Sequence, residues 1–153
     1  LVWARNNGWQ VWLSTARRTP ESLENAVAEI ARGYPALTWM LLWHRDRRNP
    51  LYAMFFRSRL AIVTSDSVSM IAEAASAGKG PLVFQASRTP GSSRTKQDRM
   101  VDGLIDAGYG SRASTPESLI DLLDNAIKSD RQFPTLDDTR KAADRLLQVM
   151  EVR

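Results

Sequence analysis

The sequence predicts an α/β fold, a doubly wound and mostly parallel sheet with helices on both faces. Two observations point there. Four short apolar runs of strand length alternate with segments of helical period, and such alternation implies parallel pairing through crossovers. One of those runs, residues 60–63, leads straight into the hydroxyl-rich turn Thr64-Ser-Asp-Ser67 and then into an Ala-rich helical pattern that stops at Gly78. The chain has 153 residues, enough for one domain with its own core, and residues 1–153 read as a single domain.

The elements follow in order. Residues 10–14 read as the first strand. Residues 20–32 carry Leu23, Ala26, Val27 and Ile30 at the i, i+3, i+4, i+7 spacing of a helix face. The pentapeptide Thr19-Pro-Glu-Ser-Leu23 opens that helix and recurs as Thr115-Pro-Glu-Ser-Leu119. Threonine is a good N-cap, proline suits the first helical position and glutamate favours the positive end. Residues 37–43 form the second strand, and 50–56 a short helix or turn. Residues 60–64 form the third strand, 67–77 the Ala-rich helix and 81–85 the fourth strand. Helices follow at 95–107, with Met100, Val101, Leu104 and Ile105, and at 116–127, with Leu119, Ile120, Leu122 and Leu123. Residues 137–151 open a carboxy-terminal helix that closes the chain at 153. Trp12, Trp39 and Trp43 fall in strands and read as core; Trp3 and Trp9 read as residues that pack on sequence outside this chain.

Composition excludes several functions. With no cysteine and one histidine, His44, there is neither a thiolate metal site nor a two-histidine relay. His44 reads as a strand-end residue. No apolar run approaches the roughly 20 residues of a membrane span, and no signal peptide is read. The opening Leu1-Val2-Trp3, without methionine, points to a fragment of a longer protein.

The net charge of +4 has a pattern. The loops leaving the carboxyl ends of the expected strands hold Arg17, Arg18, Arg45, Arg47, Arg48, Arg88, Arg94, Lys96 and Arg99, nine of the 21 basic residues. Parallel sheets bind ligands at that edge. A basic rim without a nucleic-acid motif or interleaved aromatics suits a phosphorylated small ligand and not nucleic acid.

The 60–78 stretch supplies the centre of such a site. A strand, a hydroxyl-rich turn and a helix N-terminus present free amides and the positive end of the helix dipole to an anion. Ser65, Asp66, Ser67, Val68 and Ser69 form the turn and first helical residues, and Asp66 is also placed to cap the helix. Ser69 and Glu73, four apart, share one helix face, which offers a hydroxyl near a phosphate and a carboxylate near a sugar diol. Arg17, Arg18 and Lys96 are the basic side chains expected to help; arginine is the planar, bidentate phosphate fork. No catalytic residue is assigned.

Thr64-Ser-Asp-Ser-Val-Ser-Met-Ile-Ala-Glu-Ala-Ala-Ser-Ala-Gly-Lys79 resembles the hallmark of the mitochondrial fission elongated-mitochondria family, whose bacterial members are treated as candidate glycosyltransferases. Ser14-Thr-Ala-Arg-Arg-Thr-Pro20 and Asn49-Pro-Leu-Tyr52 resemble two further segments of that family, in the same order. The resemblance implies a Rossmann-like domain, the carboxy-terminal, donor-binding half of a GT-B glycosyltransferase, with the amino-terminal acceptor domain missing. It implies a nucleotide-diphosphate sugar as ligand, Glu73 on the ribose, Ser67 to Ser69 on the diphosphate, and no cofactor or metal. It further implies a cytoplasmic protein able to associate peripherally with the cytoplasmic face of a membrane, and a fragment inactive by itself. The sequence departs from the family in lacking the Gly-rich strand and loop that should open this half. Gly80 also stands between Lys79 and Pro81, one residue more than the usual Gly-Lys-Pro spacing.

Three classes of function follow from the resemblance: a glycosyltransferase donor half, a nucleotide-sugar epimerase of the same fold, and a non-catalytic interaction protein related to organelle fission. The epimerase needs a pair of acid/base residues facing the sugar, and the interaction protein an exposed apolar patch or partner helix.

Overall fold

A computed structural model describes residues 1–85, 93–129 and 132–151. Short parallel strands alternate with helices in a Rossmann-like α/β arrangement, and the chain divides into two compact units, Leu1–Arg57 and Ser58–Arg153. Each unit has its own sheet.

The first unit holds α1 (Val2–Asn6), β1 (Val11–Ser14), α2 (Glu21–Ala31), β2 (Leu37–Leu41) and α3 (Leu51–Arg57). β1 and β2 pair in parallel, with Trp12 opposite Trp39 and Ser14 opposite Leu41. Its core is small: Ala4, Ala28, Ala36, Leu41, Leu42 and Phe55. The second unit holds β3 (Ile62–Thr64), α4 (Val68–Ser76), β4 (Leu82–Phe84), α5 (Lys96–Asp106), β5 (Ser111–Ala113), α6 (Pro116–Lys128) and α7 (Asp138–Glu151). Its sheet runs β3-β4-β5, parallel throughout, with Val63, Val83 and Arg112 in register across it. Ile71, Ala74 and Ala75 of α4 are buried at i, i+3, i+4 spacing, and Ala61, Val63, Leu82, Val83, Val101, Ala113 and Leu123 complete the core. Burying Ile71 alone contributes about 2–3 kcal/mol.

Several expectations need correction. The four expected strands do not share one ladder. Alternation fixes parallel pairing but not which strand takes which neighbour. β2 stops at Leu41, and Trp43 and His44 belong to the loop beyond it. β5 and α1 were not expected: Ser-Arg-Ala is too short and too polar to read as a strand. Trp12 and Trp39 are not core. They are 41% and 36% exposed and pack on each other across the ladder, ring centroids 6.2 Å apart. Trp3 and Trp9 pair likewise, at 6.2 Å.

The face of α2 is also turned. Leu23 and Ile30 are exposed, whereas Glu24 and Ala28 are buried, with Val27 and Ala31 half-buried beside them. Nor do the two identical pentapeptides act alike. Thr115 caps α6, its hydroxyl accepting from the Ser118 N–H at 3.1 Å. Thr19 does not cap α2; its hydroxyl accepts from the Ala16 N–H at 3.0 Å and closes the loop that carries Arg17 and Arg18.

The end of α4 explains the additional glycine. Gly78, at φ 68°, donates to the Ala75 carbonyl, and Lys79 donates to that of Ala74, so a left-handed residue closes the helix. Gly80, at φ 54°, is buried with the Phe133 ring laid on its α-carbon, and Leu136 N–H reaches the Ala75 carbonyl at 3.1 Å. The segment before α7 is tied down there. α7 itself is exposed along residues 138–150, with Leu146, Leu147, Val149 and Met150 all more than half exposed.

Candidate functional site

In the second unit the expected residues gather where β3 gives way to α4. Ser65 N–H donates to the Phe84 carbonyl and extends the ladder by one residue, and Ser67 N–H donates to the Thr64 carbonyl and makes the turn. Ser67 is the N-cap residue of α4, but no side chain caps this helix and no acid lies in its first turn. Asp66 does not cap: it is exposed, because the turn closes through backbone bonds and leaves its carboxylate in solvent. The contrast with α5 and α6 lies at the third helical amide, which the threonine hydroxyl of a capping box takes up in each. Val68 is half-buried, Ser69 exposed, and Glu73 half-buried one turn along α4. Lys96 is exposed at the first residue of α5.

A cavity of about 250 Å³ opens at the same sheet edge, lined by Ser65, Gln85, Arg94, Asp98, Val101, Asp102 and Arg112. Of the residues expected from sequence, Ser65 of the turn and Arg94 of the basic rim line it. Arg112 donates to Asp102 Oδ1 at 2.5 Å, and Arg94 pairs with Asp102 Oδ2. The Arg112 Nε–H is buried without a hydrogen-bond partner among the described residues. Arg112 escaped the sequence reading because β5 itself did. Arg88 lies outside the described residues.

Arg17 and Arg18 belong to the first unit, exposed in the loop after β1. At the carboxyl edge of that unit's sheet stands a constellation the sequence did not disclose. Glu24 is 1% exposed. Its Oε1 accepts from the Thr15 hydroxyl; its Oε2 accepts from the His44 N–H at 3.2 Å and lies 3.3 Å from His44 Nδ1. The Thr15 oxygen in turn accepts from the Trp43 N–H at 2.8 Å. One carboxylate thus ties α2 to the loops leaving both strands. Burial pushes the Glu24 carboxyl pKa up, but the hydrogen bonds from Thr15 and His44, with the pull of the imidazole, outweigh it and hold it below the ordinary value. No local pattern signals this: Glu24 follows Leu23 on a helix whose apolar spacing points elsewhere.

A family model described as Mitochondrial fission ELM1 matches residues 2–150. The chain belongs to that family. The match takes in both units, so the β1 edge with Arg17 and Arg18 and the α4 edge with Ser65 to Glu73 are both parts of the ELM1-family domain. No curated protein and no solved structure matches the chain. No helix among the described residues is long and apolar enough to cross a membrane.

Proposed function

We propose that this ELM1-family chain binds the nucleotide-diphosphate-sugar donor of a glycosyltransferase, with the nucleoside diphosphate at the carboxyl edge of β3-β4-β5. The observation that carries the reading is the uncapped start of α4. It keeps its first-turn amides available beside a cavity that Ser65 lines. The diphosphate lies against the amides of Val68 and Ser69, within reach of the dipole, the Ser67 N–H being held by the Thr64 carbonyl, and Lys96 adds charge. Glu73 accepts from the ribose hydroxyls. A leaving diphosphate held this way needs no metal, because amides and basic side chains stabilise its developing charge.

Glu73→Gln tests the assignment. The Glu73 carboxylate makes no hydrogen bond or ion pair to another described residue, so the variant keeps the fold. It weakens nucleoside diphosphate binding by about 1–3 kcal/mol, the scale of a hydrogen bond to a charged group. A 2′,3′-dideoxy analogue, lacking the partner hydroxyls, is nearly blind to the change. Equal loss for both ligands in calorimetry, or loss for neither, removes Glu73 from the ribose.

A second reading has one observation in its favour. α7 presents Leu146, Leu147, Val149 and Met150 to solvent, the kind of apolar face an interaction protein needs. Nucleotide binding by the full-length protein separates the two readings.

A further inference from the structure

The Glu24 network and the arginines around it have no part in the reading above. They stand in one unit and on one sheet edge. Thr15 to Thr19 leave β1, residues 42–48 leave β2, and the Thr15–Trp43 bond joins these two loops. Of the five arginines on them, two are engaged: Arg45 Nη2 donates to Asn25 Oδ1 at 3.0 Å, and Arg48 is forked onto Asp46. Arg17, Arg18 and Arg47 are exposed and have no partner among the described residues. His44 completes the set. With Nδ1 turned to a buried carboxylate, the ring is held in one orientation, its side chain is 38% exposed, and Nε2 has no partner among the described residues. Buried carboxylates orient histidines in this way wherever the far nitrogen must meet a ligand.

We propose that the carboxyl edge of β1-β2 binds a phosphate group, with the His44 imidazole as one contact and the Arg17, Arg18 and Arg47 guanidiniums as the others. Glu24 and Thr15 are positioning residues. Three unpaired guanidiniums supply charge and forked donors, and the tethered imidazole supplies a fixed donor or acceptor at Nε2. The ligand is a phosphate monoester or diphosphate. The inference stands on this unit alone and does not need the reading of α4.

His44 is the only histidine, so its ring C–H signals are unambiguous in NMR spectra of the full chain. Titration with inorganic pyrophosphate moves those signals saturably. Arg17→Gln with Arg18→Gln weakens that binding about tenfold or more, as expected for charge-assisted contacts. Arg48→Gln, which removes a guanidinium already tied to Asp46, changes it by less than about twofold. Glu24→Gln lowers the share of the Nδ1–H tautomer, read from the imidazole nitrogen shifts, and weakens pyrophosphate binding with all the arginines in place. Uridine diphosphate binding more tightly than pyrophosphate assigns the phosphate to a nucleotide; glycerol phosphate matching pyrophosphate assigns it to a phosphorylated acceptor. The proposal is overturned if millimolar pyrophosphate leaves the His44 signals in place. It is equally overturned if Arg48→Gln costs as much as the Arg17 and Arg18 changes, which is diffuse attraction. The Glu73 experiment is independent: pyrophosphate can move His44 whether or not Glu73 holds a ribose.

Discussion

Glu24→Ala destabilises the fold by about 3 kcal/mol at neutral pH, read as the shift in a urea unfolding curve. The size follows from what is left behind. The Thr15 hydroxyl and the His44 N–H each lose a charged acceptor in a part-buried place, at about 1–3 kcal/mol apiece before relaxation. The loops after β1 and β2 lose their common anchor, so the first unit suffers more than the second. Thr15→Val removes one arm of the same network, and the double variant is less destabilised than the sum of the two singles, because both act on one carboxylate.

The same experiment has a pH dependence of fixed sign. The Glu24 carboxyl titrates below its ordinary value in the folded chain. Its contribution is therefore complete above the unfolded carboxyl pKa and is lost as pH falls through the folded one. The gap between wild type and Glu24→Ala is widest at neutral pH and closes on acidification. Asp46 is also held low, by Arg48, and acts in the same direction in both proteins, so it cancels from the difference. A gap that stays constant from neutral to strongly acidic pH shows that Glu24 does not act as a carboxylate.

What the sequence disclosed, and what it did not, divides along physical lines. The alternation of strands and helices was legible because each element repeats its own period. So was the strand–turn–helix at Ser65 to Ser69, where residue type and local geometry agree. Long-range competition was not legible. Leu23, Ala26, Val27 and Ile30 make a sound helical stripe, yet Glu24 overrides it, because its three donors sit on Thr15 and His44, far along the chain. Thr19 and Thr115 occupy the same pentapeptide, yet only one caps, since the other is drawn to Ala16 by a tight turn. Arg112 was invisible because a three-residue strand, Ser-Arg-Ala, carries no alternation to detect. The composition of residues 15–19 and 44–48 showed charge in abundance. Only the structure shows which guanidiniums are already spent on Asn25 and Asp46.

Gly80→Ala costs about 3 kcal/mol of stability, and the cost has two separable parts. At φ 54° an alanine enters the left-handed region, at about 1–2 kcal/mol. Its Cβ would also fall within the Phe133 ring, and overpacking of that kind costs about 1–3 kcal/mol. Phe133→Leu vacates part of the space, so in the Gly80→Ala background it restores some stability that it does not give the wild type, while the backbone part persists. Gly103→Ala is the control. That glycine lies within α5 with no atom near the place its Cβ would take, and the substitution raises stability by about 0.8–1 kcal/mol through helix propensity alone. Thermal unfolding of the three single variants and the Gly80→Ala, Phe133→Leu double variant decides the matter. Were Gly80→Ala to behave like Gly103→Ala, the left-handed turn at residue 80 and the Phe133 contact above it would both be wrong. The additional residue between Lys79 and Pro81 would then have no structural cause.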